Sequence, residues 1–118
     1  MISTINDLND QEALEIATQM MNDLMDASTQ KDYARHIRHF SKRAQSMLDE
    51  TQFEIVCEVY QKKYGFFQDR EFVALFRRAD SIAFIWRQRY SKAEGDFVAE
   101  MVMILEEGEY KVDHAYVF

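Results

Sequence analysis

Apolar side chains in the first half of the chain recur with the period of an α-helix. Between Ala13 and Ala27 they return every three or four residues, while acidic and amide side chains occupy the opposite side. Asn9 followed by Glu12 has the spacing of a capping box, in which each side chain bonds the other residue's backbone N–H. The pattern therefore predicts an amphipathic helix that begins near residue 10.

Two further helices are predicted before residue 65. Thr29 followed by Asp32 starts a shorter helix, with apolar side chains at 33, 37 and 40 on one face. The next helix begins near Asp49 or Thr51 and ends at Gly65, a residue suited to the left-handed conformation that follows many helices. Its apolar stripe consists of Phe53, Val56, Cys57, Tyr60 and Tyr64.

After Gly65 the hydrophobic period changes to the two-residue alternation of strands. Strands are predicted at residues 70–78, 82–90, 96–106 and 109–117. Glu94-Gly95 and Glu107-Gly108 each separate two apolar runs, which is typical of two-residue hairpin loops. The chain is therefore predicted to be α+β, with N-terminal helices at about 11–64 packed on a four-stranded antiparallel sheet at about 70–117.

Two tight hairpins would fix which side chains share a face of the sheet, because a slip by one residue exchanges the faces. Gln88, Met101 and His114 then fall in one row, on the face turned toward the helices. An apolar concave surface with a few polar groups is typical of small-molecule sites. The candidate ligand-binding residues are Trp86, Gln88, Tyr90, Met101, Met103, His114 and Tyr116.

His114 is the candidate catalytic residue on this face. Histidine titrates near neutral pH, so it could act as the general acid or base of a small isomerase or dehydratase. The alternative is that the face is ordinary core, in which His114 and Gln88 bind each other or water.

A weaker candidate site combines Asp32, His36 and His39 on one predicted helix face. A carboxylate and two imidazoles at this spacing could hold a divalent metal if a further ligand came from elsewhere. A solvated face with a weak pair between Asp32 and His36 is the more common arrangement, so no metal is predicted. Because no two glycines are close enough to form a dinucleotide-binding or phosphate-binding loop, no cofactor is predicted either.

Charge and composition narrow the range of partners. The 118 residues carry a net charge of −7, which argues against nucleic acid as a partner. The positive charge concentrated in residues 31–43 could dock an anionic partner, or it could balance the acidic first helix. Cys57 is the single cysteine, so an intrachain disulfide is excluded.

The location of the protein is predicted from what the sequence lacks. The aliphatic runs are too short for a membrane span. The opening residues carry no basic side chain and no apolar run, so no secretory signal is expected. We therefore expect a cytoplasmic protein with no membrane partner.

The order of elements resembles a known family. The helical first half, the Gly65-Phe66-Phe67 hinge and the last hairpin at 100–113, with Tyr110 and Val112 opening its second strand, look like a small nuclear transport factor 2-like (cystatin-like) domain. The resemblance implies one domain over 1–118, a curved sheet with a conical cavity, and frequent homodimers. The family contains enzymes and non-enzymes, so fold alone does not decide function.

Three functions are compatible with these observations. The leading hypothesis is a non-catalytic homodimer that binds a small apolar molecule or a protein segment in the cone. The second is the enzyme that uses His114, and the third is a purely structural interaction module with a filled cone. The homodimer is predicted to form through the outer face of the sheet, whose apolar residues are Phe72, Ala74, Phe76, Ala83, Ile85, Val102, Ile104, Ala115 and Val117.

Overall fold

The structure, a computed structural model, describes residues 4–118. The expectation of no secretory signal rests partly on residues 1–3, which lie outside this range. A short 3₁₀ helix is followed by four helices and four strands. They are Ile5–Asp7, α1 (Asp10–Thr29), α2 (Tyr33–His36), α3 (Lys42–Ser46), α4 (Glu50–Tyr64), β1 (Phe67–Arg77), β2 (Ile82–Tyr90), β3 (Phe97–Glu106) and β4 (Glu109–Val117). The predicted α+β fold is confirmed.

The helix starts follow the capping signals of the sequence. Asn9 Oδ1 accepts from the Glu12 backbone N–H at 2.8 Å, and Glu12 Oε1 accepts from Asn9 N–H at 3.0 Å. The cap of α4 is Asp49, which forms its capping box with Gln52. Within residues 4–118, none of the helices is both long enough and apolar enough to cross a membrane.

The predicted second helix is shorter than expected. It ends after one turn at His36, and α3 follows as a separate helix that the sequence pattern did not indicate. Between them Phe40 forms a parallel bridge with Val112 of β4. Val112 N–H donates to the His39 carbonyl at 2.7 Å, and Ser41 N–H donates to the Val112 carbonyl at 2.9 Å. This segment thus pairs with the free edge of β4, which an antiparallel sheet would otherwise expose.

The sheet is antiparallel, with its strands in chain order from β1 to β4. The β3–β4 hairpin has the predicted two-residue loop, with positive φ at both Glu107 (52°) and Gly108 (79°), as a type I′ turn requires. The two-residue loop predicted at Glu94-Gly95 is wrong. β2 ends at Tyr90 and β3 begins at Phe97, so the connection has six residues.

The longer connection changes the partners across β2 and β3 without exchanging the faces. Met101 lies opposite Phe84 and not opposite Gln88, and Trp86 lies opposite Ala99. Glu100 lies opposite Ile85, and Arg89 pairs with Asp96 in the connection (3.3 Å). Trp86, Gln88 and Tyr90 still share the face turned toward the helices, as predicted.

A bulge at Asp113 exchanges the faces in the second half of β4. Met103 lies opposite Val112, but Val102 lies opposite His114, so Asp113 has no partner of its own on β3. After the bulge, Ala115 and Val117 face the helices, and His114 and Tyr116 face the other way. The prediction that His114 and Tyr116 point toward the helices is therefore wrong, as is the placement of Ala115 and Val117 on the outer face. The placement of Phe72 on the outer face is wrong too, because Phe72 lies opposite Trp86, which faces the helices.

The bulge is held by residues some 70 positions earlier in the chain. Asp113 Oδ1 accepts from Ser41 Oγ at 2.7 Å and from Arg43 Nε at 3.1 Å. Partial burial tends to raise the pKa of Asp113, but the hydrogen bonds from Arg43 and Ser41 outweigh it and hold that pKa below its ordinary value. The ionised carboxylate thus ties α3 to the bulge.

The core lies between α1 and the inner face of the sheet. Met20, Met21 and Leu24 of α1 are buried against the sheet residues Phe84 and Trp86, whose rings stack at 5.8 Å. This packing fills the middle of the space between the layers and leaves room near the C-terminal ends of β2 and β4.

Candidate ligand-binding site

A cavity of about 300 Å³ lies between the helices and the ends of the strands. We call it the α1–α4 pocket. This volume is at the lower end of the range of small-molecule sites. Its lining is mostly apolar and comes from α1, α2, α4 and three strands: Met21, Leu24, Met25, Ser28, His36, Leu48, Phe53, Val56, Cys57, Tyr60, Phe67, Tyr90, Ala115, Tyr116 and Val117.

Two helices contribute side chains at the same spacing. On α1 the lining residues occupy positions 21, 24, 25 and 28, and on α4 they occupy 53, 56, 57 and 60. Both sets follow the i, i+3, i+4, i+7 pattern of one helix face. The two apolar faces turn toward each other at this end of the molecule and enclose the pocket.

The bulge in β4 makes room for the pocket. Without it, His114 would face the helices at this level, and with it the small side chain of Ala115 does so. Val56 and Tyr116 also line the pocket, although they are 56% and 59% exposed, so they lie at its opening. The sheet irregularity that overturns the predicted facing of His114 is therefore also what shapes this cavity.

His36 is a polar group in the pocket wall. Its Nδ1 lies 2.8 Å from the Leu24 carbonyl oxygen, which can only accept, so Nδ1 carries the proton. Its ring packs against Phe53 and Phe40, with ring centroids 4.6 and 5.3 Å away. Burial lowers the pKa of His36 below its ordinary value, against the raising effect of the bond to Leu24. The ring is therefore neutral at pH 7, with Nε2 as an acceptor.

Three other polar side chains of the pocket, Ser28, Cys57 and Tyr60, form a hydrogen-bonded cluster. The Ser28 hydroxyl lies 2.7 Å from Tyr60 OH and 3.4 Å from Cys57 Sγ. Gln61 Nε2 donates to Tyr60 OH at 3.3 Å. Burial raises the pKa of the Cys57 thiol and that of Tyr60, and it raises the pKa of Tyr90 to about 12. These groups are therefore protonated at neutral pH, and Cys57 is unsuited to be a nucleophile.

Four of the residues predicted to bind a ligand lie in the packed core beside the pocket. Trp86, Met101 and Met103 are buried in the core cluster. Gln88 is fully buried (0% exposed), and its Nε2 donates to the Gln68 and Arg89 carbonyls at 2.9 Å. Gln68 lies in an irregular part of β1, so Gln88 stabilises the strand there; Gln88 Oε1 has no partner among residues 4–118.

The remaining three predicted residues divide between the two sides of the sheet. Tyr90 lines the pocket from the inner face. Tyr116 belongs to the outer face of β4, as His114 does, but it also borders the opening of the pocket. His114 lies on the outer face, where its Nε2 is 2.8 Å from Glu100 Oε1. The sheet separates His114 from the pocket. The predicted general acid or base is therefore not brought together with the cavity that could hold a substrate.

The candidate metal site is dispersed. Asp32 caps α2 by accepting from the Arg35 backbone N–H, His36 bonds the Leu24 carbonyl, and His39 Nε2 lies 3.5 Å from Asp23 Oδ2. The part of the chain that the structure describes contains no group of three His, Cys, Asp or Glu side chains placed to bind a metal.

The basic segment pairs with the acidic first helix. Arg35 contacts Asp26 at 2.6 Å, and Arg38 contacts Asp23 at 3.4 Å. These pairs are solvent-exposed, and such pairs contribute little to stability. They support the interpretation that positive charge in residues 31–43 balances α1, but only in part. The other three basic side chains pair elsewhere: Lys31 with Glu58, Lys42 with Glu107 and Arg43 with Asp113.

Sequence reasoning missed most of the pocket. The apolar stripes of α1 and α4 were predicted to be core, and their residues do line the space between the layers. The signal that singles them out is Ser28, a small polar residue on the apolar stripe of α1. Its partners Cys57 and Tyr60 occupy the matching stripe of α4, but nothing in the sequence states that the two stripes face each other.

Comparison with solved structures supports the fold. A SEC-C motif containing protein from Rhodopseudomonas palustris has a TM-score of 0.59 at 10% identity, over 82% of this chain and 74% of that one. A protein from Bdellovibrio bacteriovorus has a TM-score of 0.54 at 9% identity, over 94% of this chain and 44% of that one. At these identities the likeness shows a shared fold alone.

A third structure, an NTF2-like protein of unknown function from Pseudomonas putida, has a TM-score of 0.49 at 15% identity, over 87% of this chain and 83% of that one. No model of a known protein family matches the sequence. No curated protein matches it either.

Proposed function

We propose that this protein binds a small apolar molecule in the α1–α4 pocket and acts as a non-catalytic binding domain. The observation that carries the proposal is the cavity of about 300 Å³, bounded by apolar side chains with a few polar groups among them. Sites for small molecules generally have this composition. A small molecule suits the pocket better than a protein segment, because a volume of about 300 Å³ is at the lower end of the range of small-molecule sites.

Catalysis by His114 has no geometric support. His114 pairs with Glu100 on the face of the sheet opposite the pocket. A general acid or base must come within hydrogen-bonding distance of the group it protonates or deprotonates. A substrate held in the pocket could not meet this condition with His114.

Replacing Val56 with Trp should block the opening and weaken binding about tenfold or more, which corresponds to about 1.4 kcal/mol. Val56 is 56% exposed, so the larger ring can be accommodated without disturbing the core. The measurement is titration with N-phenyl-1-naphthylamine, a neutral probe whose fluorescence rises in apolar surroundings.

Ile55→Trp is the matched control. Ile55 is 57% exposed on the same helix but does not line the pocket, so this variant should bind like the wild type. Equal affinity of the two variants would place the probe elsewhere on the surface. Absence of binding by the wild type would favour the alternative of a purely structural module.

We also propose that the protein forms a homodimer through the outer face of the sheet. Phe76 is 57% exposed there, and Ala74, Ile85 and Ile104 are partly exposed beside it. The charged side chains of this face pair with one another, as Arg87 does with Glu71 at 3.0 Å. Two copies could therefore meet through the apolar residues without leaving a charge unpaired.

Ile104→Glu should shift this dimer toward monomer, because it would bury a charge at the contact. Light scattering coupled to size exclusion should give about twice the chain mass of 14.1 kDa for the wild type and about the mass of a single chain for the variant. Ile55→Glu on α4 is the control and should stay dimeric. A wild type that is monomeric at micromolar concentration would overturn the proposal.

Two further predictions from the sequence stay proposals. Membership of the nuclear transport factor 2-like family is supported by the order of helices and sheet and by the cavity between them. The cytoplasmic location is supported by the single, buried cysteine, since proteins of oxidising compartments commonly use disulfides.

A further inference from the structure

The chemistry of the pocket wall restricts what can enter it. None of the described residues that line the pocket is Asp, Glu, Lys or Arg. An ionised group placed inside would lose its hydration without gaining a partner charge, which is costly. The part of a ligand that lies inside the pocket should therefore be neutral.

Three polar groups of the wall, those of Ser28, Cys57 and Tyr60, already have partners. Tyr60 OH and the Ser28 hydroxyl bind each other, and the second available contact of each is filled by Gln61 Nε2 and Cys57 Sγ. Each hydroxyl therefore keeps at most one contact for a ligand. These groups contribute shape to the pocket and offer little hydrogen-bonding capacity.

His36 differs from these groups. Its Nδ1–H donates to the Leu24 carbonyl, which fixes the tautomer and leaves Nε2 with a lone pair. Nε2 has no hydrogen-bond partner among residues 4–118, whereas the ring itself borders the pocket. Packing of the ring against Phe53 and Phe40 holds it in place. His36 thus gives the wall a fixed, vacant acceptor that, unlike the hydroxyls of Tyr90 and Tyr116, cannot donate.

We propose that the pocket selects a neutral molecule with an apolar body and a hydrogen-bond donor, such as a hydroxyl, that donates to His36 Nε2. This inference rests on the proposed function and names the class of ligand for the same site. It makes His36 the residue that determines specificity, because an apolar pocket without it would prefer molecules that have no donor.

The test compares 4-ethylphenol with 4-ethylanisole, which differs by methylation of the hydroxyl. The phenol is neutral at pH 7.5, because phenols titrate near pH 10. By its greater apolarity the ether should bind better to a purely apolar pocket. We expect the opposite for the wild type, with the phenol bound about fivefold more tightly by isothermal titration calorimetry, the effect of one neutral hydrogen bond.

Two variants identify the group responsible. His36→Phe keeps an aromatic ring and removes both nitrogens, so the ether should bind at least as tightly as the phenol. Ser28→Ala removes a hydroxyl that is already engaged and should keep the preference for the phenol. If the preference vanishes in Ser28→Ala and persists in His36→Phe, the assignment to His36 is overturned.

The wild-type measurement also separates this inference from the proposed function. Binding of both probes with no preference, or with a preference for the ether, would overturn the role of His36 and leave the apolar pocket in place. Binding of neither probe would overturn both.

Discussion

Gly65→Ala should lower the free energy of unfolding by about 3 kcal/mol or more, from backbone strain and overpacking together. Gly65 has φ of 86° and ψ of −142°, a region that other residues almost never adopt. A Cβ built there would lie 2.2 Å from Ser91 Oγ and 3.0 Å from the Lys92 backbone nitrogen.

The contacts around Gly65 cannot easily give way. Ser91 Oγ accepts from the Phe66 backbone N–H at 2.9 Å, and Lys92 N–H donates to the Tyr64 carbonyl at 2.9 Å. Both bonds fasten the β2–β3 connection to the junction of α4 and β1. Moving Ser91 or Lys92 to admit a methyl group would break this junction, which positions Phe67 and Tyr90 in the pocket wall.

Gly95→Ala is the control that measures the cost of backbone strain without a steric clash. Gly95 also has a positive φ, 94°, but no atom lies within 4 Å of a Cβ built on it. Its cost should be about 1 kcal/mol, the strain alone. Urea denaturation of both variants measures the difference, and equal losses of stability would contradict the packing described at Gly65.

Phe53→Ala should destabilise the protein by about 3–5 kcal/mol and enlarge the pocket. Phe53 is buried and lines the pocket, where its ring packs against Tyr33 at 5.7 Å and His36 at 4.6 Å. A ligand raises the stability of the folded state more the more tightly it binds. A large apolar probe that fits the enlarged pocket should therefore restore part of the lost free energy of unfolding. The measurement is the midpoint of thermal unfolding with and without N-phenyl-1-naphthylamine.

Phe84→Ala is the control for Phe53→Ala. Phe84 is fully buried and stacks on Trp86 in the core, but it does not line the pocket. The Phe84→Ala variant should lose a similar amount of free energy of unfolding. The probe should raise the midpoint of thermal unfolding of this variant no more than it raises the midpoint of the wild type. A larger recovery at Phe84 than at Phe53 would place the probe in the core.

Local chemistry made the helix starts and the second hairpin predictable. The capping box of Asn9 and Glu12 needs nothing beyond four consecutive residues, and Glu107-Gly108 forms its turn within one hairpin. The first hairpin contains the same dipeptide, but Ser91 and Lys92 are bonded to the α4–β1 junction. These bonds keep the residues after β2 from forming a tight turn, and they cannot be predicted from the residues of the hairpin alone.

The facing of His114 could not be predicted for the same physical reason. The facing of His114 depends on the bulge at Asp113, which Ser41 and Arg43 hold from across the chain. The alternation of apolar and polar residues does not reveal this bulge, because the two residues that follow it, His114 and Ala115, could each lie on either face of the sheet. The pocket is therefore predicted on the correct side of the sheet but with the wrong residue of β4, His114 in place of Ala115 and Val117.

The methionine methyl groups provide the most direct test of the α1–α4 pocket. Met21 and Met25 line it, whereas Met101 and Met103 lie in the core, on the sheet face from which a site was first predicted. In a protein labelled with ¹³C at the methionine methyls, 4-ethylphenol should shift the NMR signals of Met21 and Met25 and leave those of Met101 and Met103 in place. Shifts at Met101 and Met103 alone, or at none of the four, would contradict the assignment of the pocket as the binding site.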